Sequence, residues 1–136
     1  MRDEQVRRYS RHILLPDVGG LGQTALLVAT ARLDLHESSP EAELVAATYL
    51  VAGGVGRLAI RGASEDQRAA LAAHGSDTEL VTDGTLDSGD VPDRSVELTL
   101  QPRPAWWPAG GDDGGALAFW RGGLAATRWM AAIANR

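Results

Sequence analysis

Residues 33–61 read LDLHESSPEAELVAATYLVAGGVGRLAIR, and the fold turns on this stretch. Leu33-Asp34-Leu35 alternates in a way that suits a strand. From residue 44 to 52 almost every side chain is apolar or small, until Gly53-Gly54-Val55-Gly56 halts the run. Arg57-Leu58-Ala59-Ile60-Arg61 then reads as a second strand. Strand, loop, helix, strand is the βαβ unit that opens a dinucleotide-binding fold.

A nucleotide-binding version of this unit needs glycines in its first loop, so that backbone N–H groups can approach a phosphate. Here that loop has none. Pro40 has no N–H to donate, and the charges of Glu41 and Glu43 oppose a phosphate at short range. Ser39-Pro40-Glu41-Ala42-Glu43 is a good ordinary helix start, with Ser at the N-cap, Pro in the first turn and acids against the positive end of the dipole. Two readings follow: a plain, well-capped buried helix, or a phosphate site that has been lost.

The chain has 136 residues, of which 44% are apolar, so one domain with a single core is expected. The formal net charge is −5 and the 13 basic residues form no run, which argues against a nucleic-acid surface. The absence of cysteine excludes disulfides, thiolate metal sites and thiol catalysis. The charged start, Met1-Arg2-Asp3-Glu4-Gln5, lacks the apolar core of a signal peptide. No segment offers the about 20 uncharged apolar residues of a membrane span, since Arg121 and Arg128 interrupt the best candidate. A soluble, cytoplasmic protein without membrane contact is the expectation.

Residues 4–11 are polar and helix-compatible, Ile13-Leu14-Leu15-Pro16 is a short apolar anchor, residues 18–22 read as a glycine-rich turn and residues 23–29 as a short helix. An arginine-rich arm of this kind (residues 1–30, ahead of an α/β core at 31–136) is hard to bury in its own domain and is expected to lie on a neighbour. Farther on, Ser64 and Gln67 form a capping box for a short helix over residues 65–73. Residues 78–82 and 95–100 are strand candidates. The loop holding Asp83, Asp87, Asp90 and Asp93 lacks the ordered spacing of a calcium loop. Trp106-Trp107 lie in a proline-rich loop, where they cover a core edge or meet a partner. Residues 116–134 read as a helix with Leu117, Trp120, Leu124, Thr127 and Met130-Ala131 on one face. Gly122-Gly123 costs it about 2 kcal/mol of propensity, tolerable where another backbone comes very close, on the sheet or across a dimer seam. His12, His36 and His74 have no ligand spacing and read as structural or exposed.

Arg8-Tyr9-Ser10-Arg11-His12-Ile13-Leu14-Leu15-Pro16, followed by Gly19-Gly20-Leu21-Gly22-Gln23, resembles the N-terminal signature of the ThiF/MoeB/HesA family, bacterial E1-like relatives of ubiquitin-activating enzymes. The family pattern is R-Y-S-R-Q-I-x-L-P and then G-x-x-G-Q, with His12 here in place of the Gln. Tyr49-Leu50-Val51-Ala52-Gly53-Gly54-Val55-Gly56 is similar to the family's Y-L-A-x-A-G-V-G. Gly122-Gly123-Leu124-Ala125-Ala126-Thr127 is more weakly similar to a small-residue helix near the end of the adenylation core.

The resemblance implies a shortened Rossmann-like, mostly parallel sheet with flanking helices and an N-terminal helical arm. It also implies a part in the ATP- and Mg²⁺-dependent adenylation of a ubiquitin-like sulfur carrier. The family's G-x-G-G-x-G falls on Ser38, Pro40, Glu41 and Glu43, so the glycines are missing. The acid that holds the ribose falls near Arg61 or Gly62, the phosphate-contacting lysine has no counterpart in a chain without lysine, and the catalytic Cys is absent. The Mg²⁺-holding Asp has no match after residues 95–100, where Gln101-Pro102 follows. The chain is also shorter than a complete member.

The arm is kept, and in family dimers its second arginine, matched here by Arg11, with Arg8 as the first, reaches ATP bound by the partner subunit. Such arginines are worth about 10³–10⁵ in rate. A solvated arginine or an intersubunit salt bridge is the plain alternative for Arg11. The expected function is that of an inactive pseudo-enzyme subunit. It binds no cofactor itself and forms a homodimer, or a heterodimer with an active ThiF/MoeB-like protein. The rivals are a minimal adenylating enzyme and a non-catalytic module that binds a ubiquitin-like carrier.

Overall fold

The computed structural model describes residues 1–35, 39–81, 98–108 and 115–136. In chain order its elements are helices α1 (Asp3–Arg8), α2 (Ser10–Ile13) and α3 (Gly19–Val28), strand β1 (Thr30–Asp34), helix α4 (Pro40–Ala52), strand β2 (Arg57–Arg61), helix α5 (Glu65–His74), strand β3 (Glu79–Val81) and helix α6 (Gly115–Ala134). The three strands form a parallel sheet in the order β1-β2-β3, with Thr30 opposite Arg57 and Arg57 opposite Glu79. The protein is thus α/β, a small parallel sheet flanked by helices.

α4 is the centre of the core. It runs from Pro40 in its first turn to a stop at Gly53, and buries Ala42, Glu43, Ala46, Ala47, Leu50 and Val51. No single face is apolar, because the helix is covered by the sheet and α5 on one side and by α6 on the other. Its end is a Schellman motif: Val55 N–H donates to Leu50 O and Gly54 N–H to Val51 O, with Gly54 at φ +82°. Leu50 and Val55, both fully buried, make the accompanying apolar contact. α5 starts with the expected box: Gln67 N–H donates to Ser64 Oγ and Ser64 N–H to Gln67 Oε1.

α6 runs alongside α4 in the same direction, with Gly122 over Ala42 and Val45 at one end and Met130 against Gly53 at the other. A Cβ on Gly122 would lie 2.2 Å from Ala42 O, so the close approach expected for this glycine exists, against a helix rather than the sheet. The expected apolar face is rotated. Leu117, Ala118, Gly122, Ala125, Ala126, Trp129 and Ile133 point inward, while Thr127 is exposed. Two helices this close select small residues at the seam, so Gly122, Ala125 and Ala126 face inward beside Trp129 and Ile133, where spacing alone points to Trp120, Leu124 and Thr127.

Other expectations shift. The first strand begins at Thr30, because Ala31 shares its buried row with Leu33 and Leu35. The turn ends at Val18 and does not extend over residues 19–22: α3 starts at Gly19, and Gly22 lies inside it, where a Cβ would meet that of Ala134 at 2.8 Å. Residues 4–11 divide into α1 and α2 at Tyr9. Residues 98–100 are not a strand, although Leu98 packs on the core, and 95–97 lie outside the described residues. Ile13-Leu14-Leu15 is no anchor, with Leu14 81% and Leu15 51% exposed. Among the described residues no helix is long and apolar enough to cross a membrane.

Candidate functional site

The arm and the loop that ends α4 meet in space. Tyr9, 2% exposed, lays its ring over Gly54, where a Cβ would fall 2.5 Å from Tyr9 Cζ. His12 stacks on Tyr9 at 6.0 Å and shares a 3.1 Å hydrogen bond between its Nδ1 and Gln23 Oε1. Gln23, fully buried, donates from Nε2 to Gly53 O at 3.0 Å, satisfying a carbonyl that the end of α4 leaves without an intrahelical donor. The arm motif is a plug and the Gly53-Gly54-Val55-Gly56 loop is its socket.

Asp77 closes the joint from the other side. Its carboxylate accepts from Arg2 Nη2 at 3.0 Å, Gln5 Nε2 at 2.9 Å and Tyr9 Oη at 3.0 Å, and is paired with Arg8 Nη1. Burial by itself would raise the Asp77 carboxyl. The hydrogen bonds from Gln5 and Tyr9 and the Arg8 guanidinium outweigh that and hold it below the usual carboxylate range. Burial, and then the bond to Asp77, push the Tyr9 phenol up to about 12. A carboxyl lowered on folding contributes stability that is complete above its unfolded value of about 3.9 and lost as pH falls through the lowered one. In urea titrations, the advantage of the wild-type chain over Asp77→Asn is therefore constant from pH 7 to about 5 and shrinks in more acid solution.

The arm is thus docked on its own domain, contrary to the expectation that it lies on a neighbour. Its polar side chains find partners at Ser76 and Asp77, and Tyr9 finds a glycine to cover. Arg8, one of the two candidate arginines, is used up here. Besides Asp77 it donates to Ser76 Oγ at 2.7 Å and to Glu4 Oε1 at 2.9 Å. Arg11 is exposed and makes no hydrogen bond or ion pair among the described residues. Leu14, Leu15 and Leu21, the last 90% exposed, follow it on the arm and the first turn of α3.

The start of α4 is a different place. Pro40 and Glu41 are exposed and Glu43 is buried, while Ser38 lies outside the described residues. Ser39 Oγ accepts from Arg121 Nη1 at 2.7 Å, and Arg121 Nε donates to Gln101 O at 2.6 Å. A guanidinium tied to the chain thus stands at the helix entrance. The arm docks just ahead of β2 and β3, whereas α4 starts beyond the last residue of β1. In a parallel sheet these are opposite ends, about 16 Å apart for five-residue strands. Asp77, Gln23 and Arg121 escaped sequence reading as site residues because each acts through partners distant in the chain. Among the described residues no group of three or more His, Cys, Asp or Glu could hold a metal ion. No protein-family model and no curated protein matches the chain.

Proposed function

We propose that the chain is a non-catalytic E1-like subunit whose arm presents Arg11 to ATP held by a partner, with no ATP site of its own. The partner is an active ThiF/MoeB-like protein or a second copy, in the cytoplasm, and the reaction served is adenylation of a ubiquitin-like carrier. One observation carries the reading: Arg8 is bound to Asp77 while Arg11, three residues on, is exposed with no partner among the described residues. The βαβα order and parallel strands are compatible with the first part of a Rossmann-type sheet. The α4 entrance offers proline and acids where phosphate needs N–H groups, and Arg121 is tied across Ser39. Because the arm and that entrance lie at opposite ends of the sheet, Arg11 is better placed to serve a neighbour's site than its own. The exposed leucines 14, 15 and 21 supply an apolar border for the contact.

In adenylation a carrier carboxylate attacks the α-phosphate of ATP and pyrophosphate leaves. A guanidinium beside the phosphates stabilises the charge that develops there. The test is carrier adenylation by the reconstituted complex. Arg11→Ala is expected to slow it tenfold or more with the complex intact. An unchanged rate overturns the trans role and leaves a binding module. Calorimetry of the isolated chain with ATP and Mg²⁺ is expected to show no binding, and micromolar affinity would favour the minimal adenylating enzyme instead.

A further inference from the structure

Two helices of six and four residues are far too short to persist alone in water. Neither buries a residue of its own, and between them only Tyr9 is buried. What keeps them folded is the body beneath them, and most of that hold converges on one side chain. Arg2, Gln5, Arg8 and Tyr9 all end on the Asp77 carboxylate, which is 2% exposed. Arg2 and Arg8 are themselves 72% and 34% exposed, so water already reaches the arm's half of the contact. Asp77 lies in the link between α5 and β3, outside the central hydrophobic cluster. Among the described residues, the partners of its carboxylate are all arm side chains: Arg2, Gln5, Arg8 and Tyr9.

We infer that residues 1–18 are a strap that docks and releases as one unit, with Asp77 as its latch and the Gly54 socket as its seat. Elements held by few apolar contacts and several solvent-reached hydrogen bonds open well below the global unfolding free energy. Release frees Tyr9 from Gly54 and turns Arg11 from a fixed projection into one on a flexible tether. α3 stays behind, tied by Gln23 to Gly53 O and by Gly56 N–H to Leu26 O at 2.9 Å. The device stands whether or not Arg11 acts on a neighbour's nucleotide.

Amide exchange followed by mass spectrometry on the full chain tests it. In Asp77→Asn, peptides within residues 1–18 are expected to exchange at least tenfold faster, while peptides from α4, β2 and α6 keep their wild-type rates. Arg8→Gln, which removes one donor from the strap side, is expected to give a smaller rise over the same residues. Trypsin should likewise cleave after Arg7 and Arg11 sooner in both variants, and after Arg8 sooner in Asp77→Asn. A rise shared by α4 and α6, or an Asp77→Asn chain that fails to fold, would make Asp77 a general folding residue and overturn the latch. Unchanged exchange over residues 1–18 would overturn it equally.

Discussion

Gly122→Ala is expected to lower the unfolding free energy by about 2–3 kcal/mol, while Gly123→Ala, one position on, raises it by about 0.5–1 kcal/mol. Both changes remove a glycine from the interior of α6, and on helix propensity alone both would stabilise. Space decides otherwise. A Cβ at 122 would stand 2.2 Å from Ala42 O and 2.8 Å from Val45 Cβ, and backbone cannot swing aside as a side-chain tip does. At 123 the nearest atoms are in the Tyr49 ring at 3.7 Å, an ordinary contact. Urea titration of the two variants beside wild type reads the result directly, as midpoints displaced in opposite directions with unchanged slopes. If the pair faced a partner chain instead of α4, both substitutions would act on association and leave the monomer's unfolding midpoint alone.

That contrast marks where sequence reading succeeds and where it stops. β2 was legible residue for residue, and α4 was legible from its proline to its glycine stop, because their signals are local: a proline and acids at one end, an apolar run, a terminator. Ser39 holds the N-cap position, but its hydroxyl accepts from Arg121 instead of capping the helix. The capping box of α5 is local too. Gly19, Gly20 and Gly22 gave no such signal, since a glycine cluster reads as a turn unless one knows that Ala134 crosses above it. The inward face of α6 was misread for a related reason. Spacing of three and four from Leu117 points to Trp120, Leu124 and Thr127, but at the close crossing on α4 Gly122, Ala125 and Ala126 hold the inside, beside Trp129 and Ile133. The candidate site divides the same way. The poor phosphate chemistry of Pro40, Glu41 and Glu43 follows from residue type alone. Asp77 could not be seen, because its partners Arg2, Gln5, Arg8 and Tyr9 lie 68 to 75 positions upstream. Polarity alone sends the arm to a neighbour, and the one carboxylate that meets it lies too far along the chain to change that.

Gly54→Ala is expected to cost about 2–4 kcal/mol in the wild-type chain, and only about 1–2 kcal/mol when Tyr9 is already alanine. Two separate penalties meet at this residue. The Schellman turn needs φ +82°, a left-handed conformation that costs any side chain about 1–2 kcal/mol. The added methyl would also sit 2.5 Å from the Tyr9 ring, so the plug must lift or the turn must open. Removing the ring first abolishes the second penalty and leaves the first, and this gives the coupling its sign: the double variant is more stable than the sum of the singles predicts. Purely additive costs would mean that the ring already clears the socket in solution. The cycle thus measures how firmly the arm is seated. Exchange in Asp77→Asn asks about the polar half of that joint and this cycle asks about its apolar half, so agreement between them would establish one docked state held from both sides.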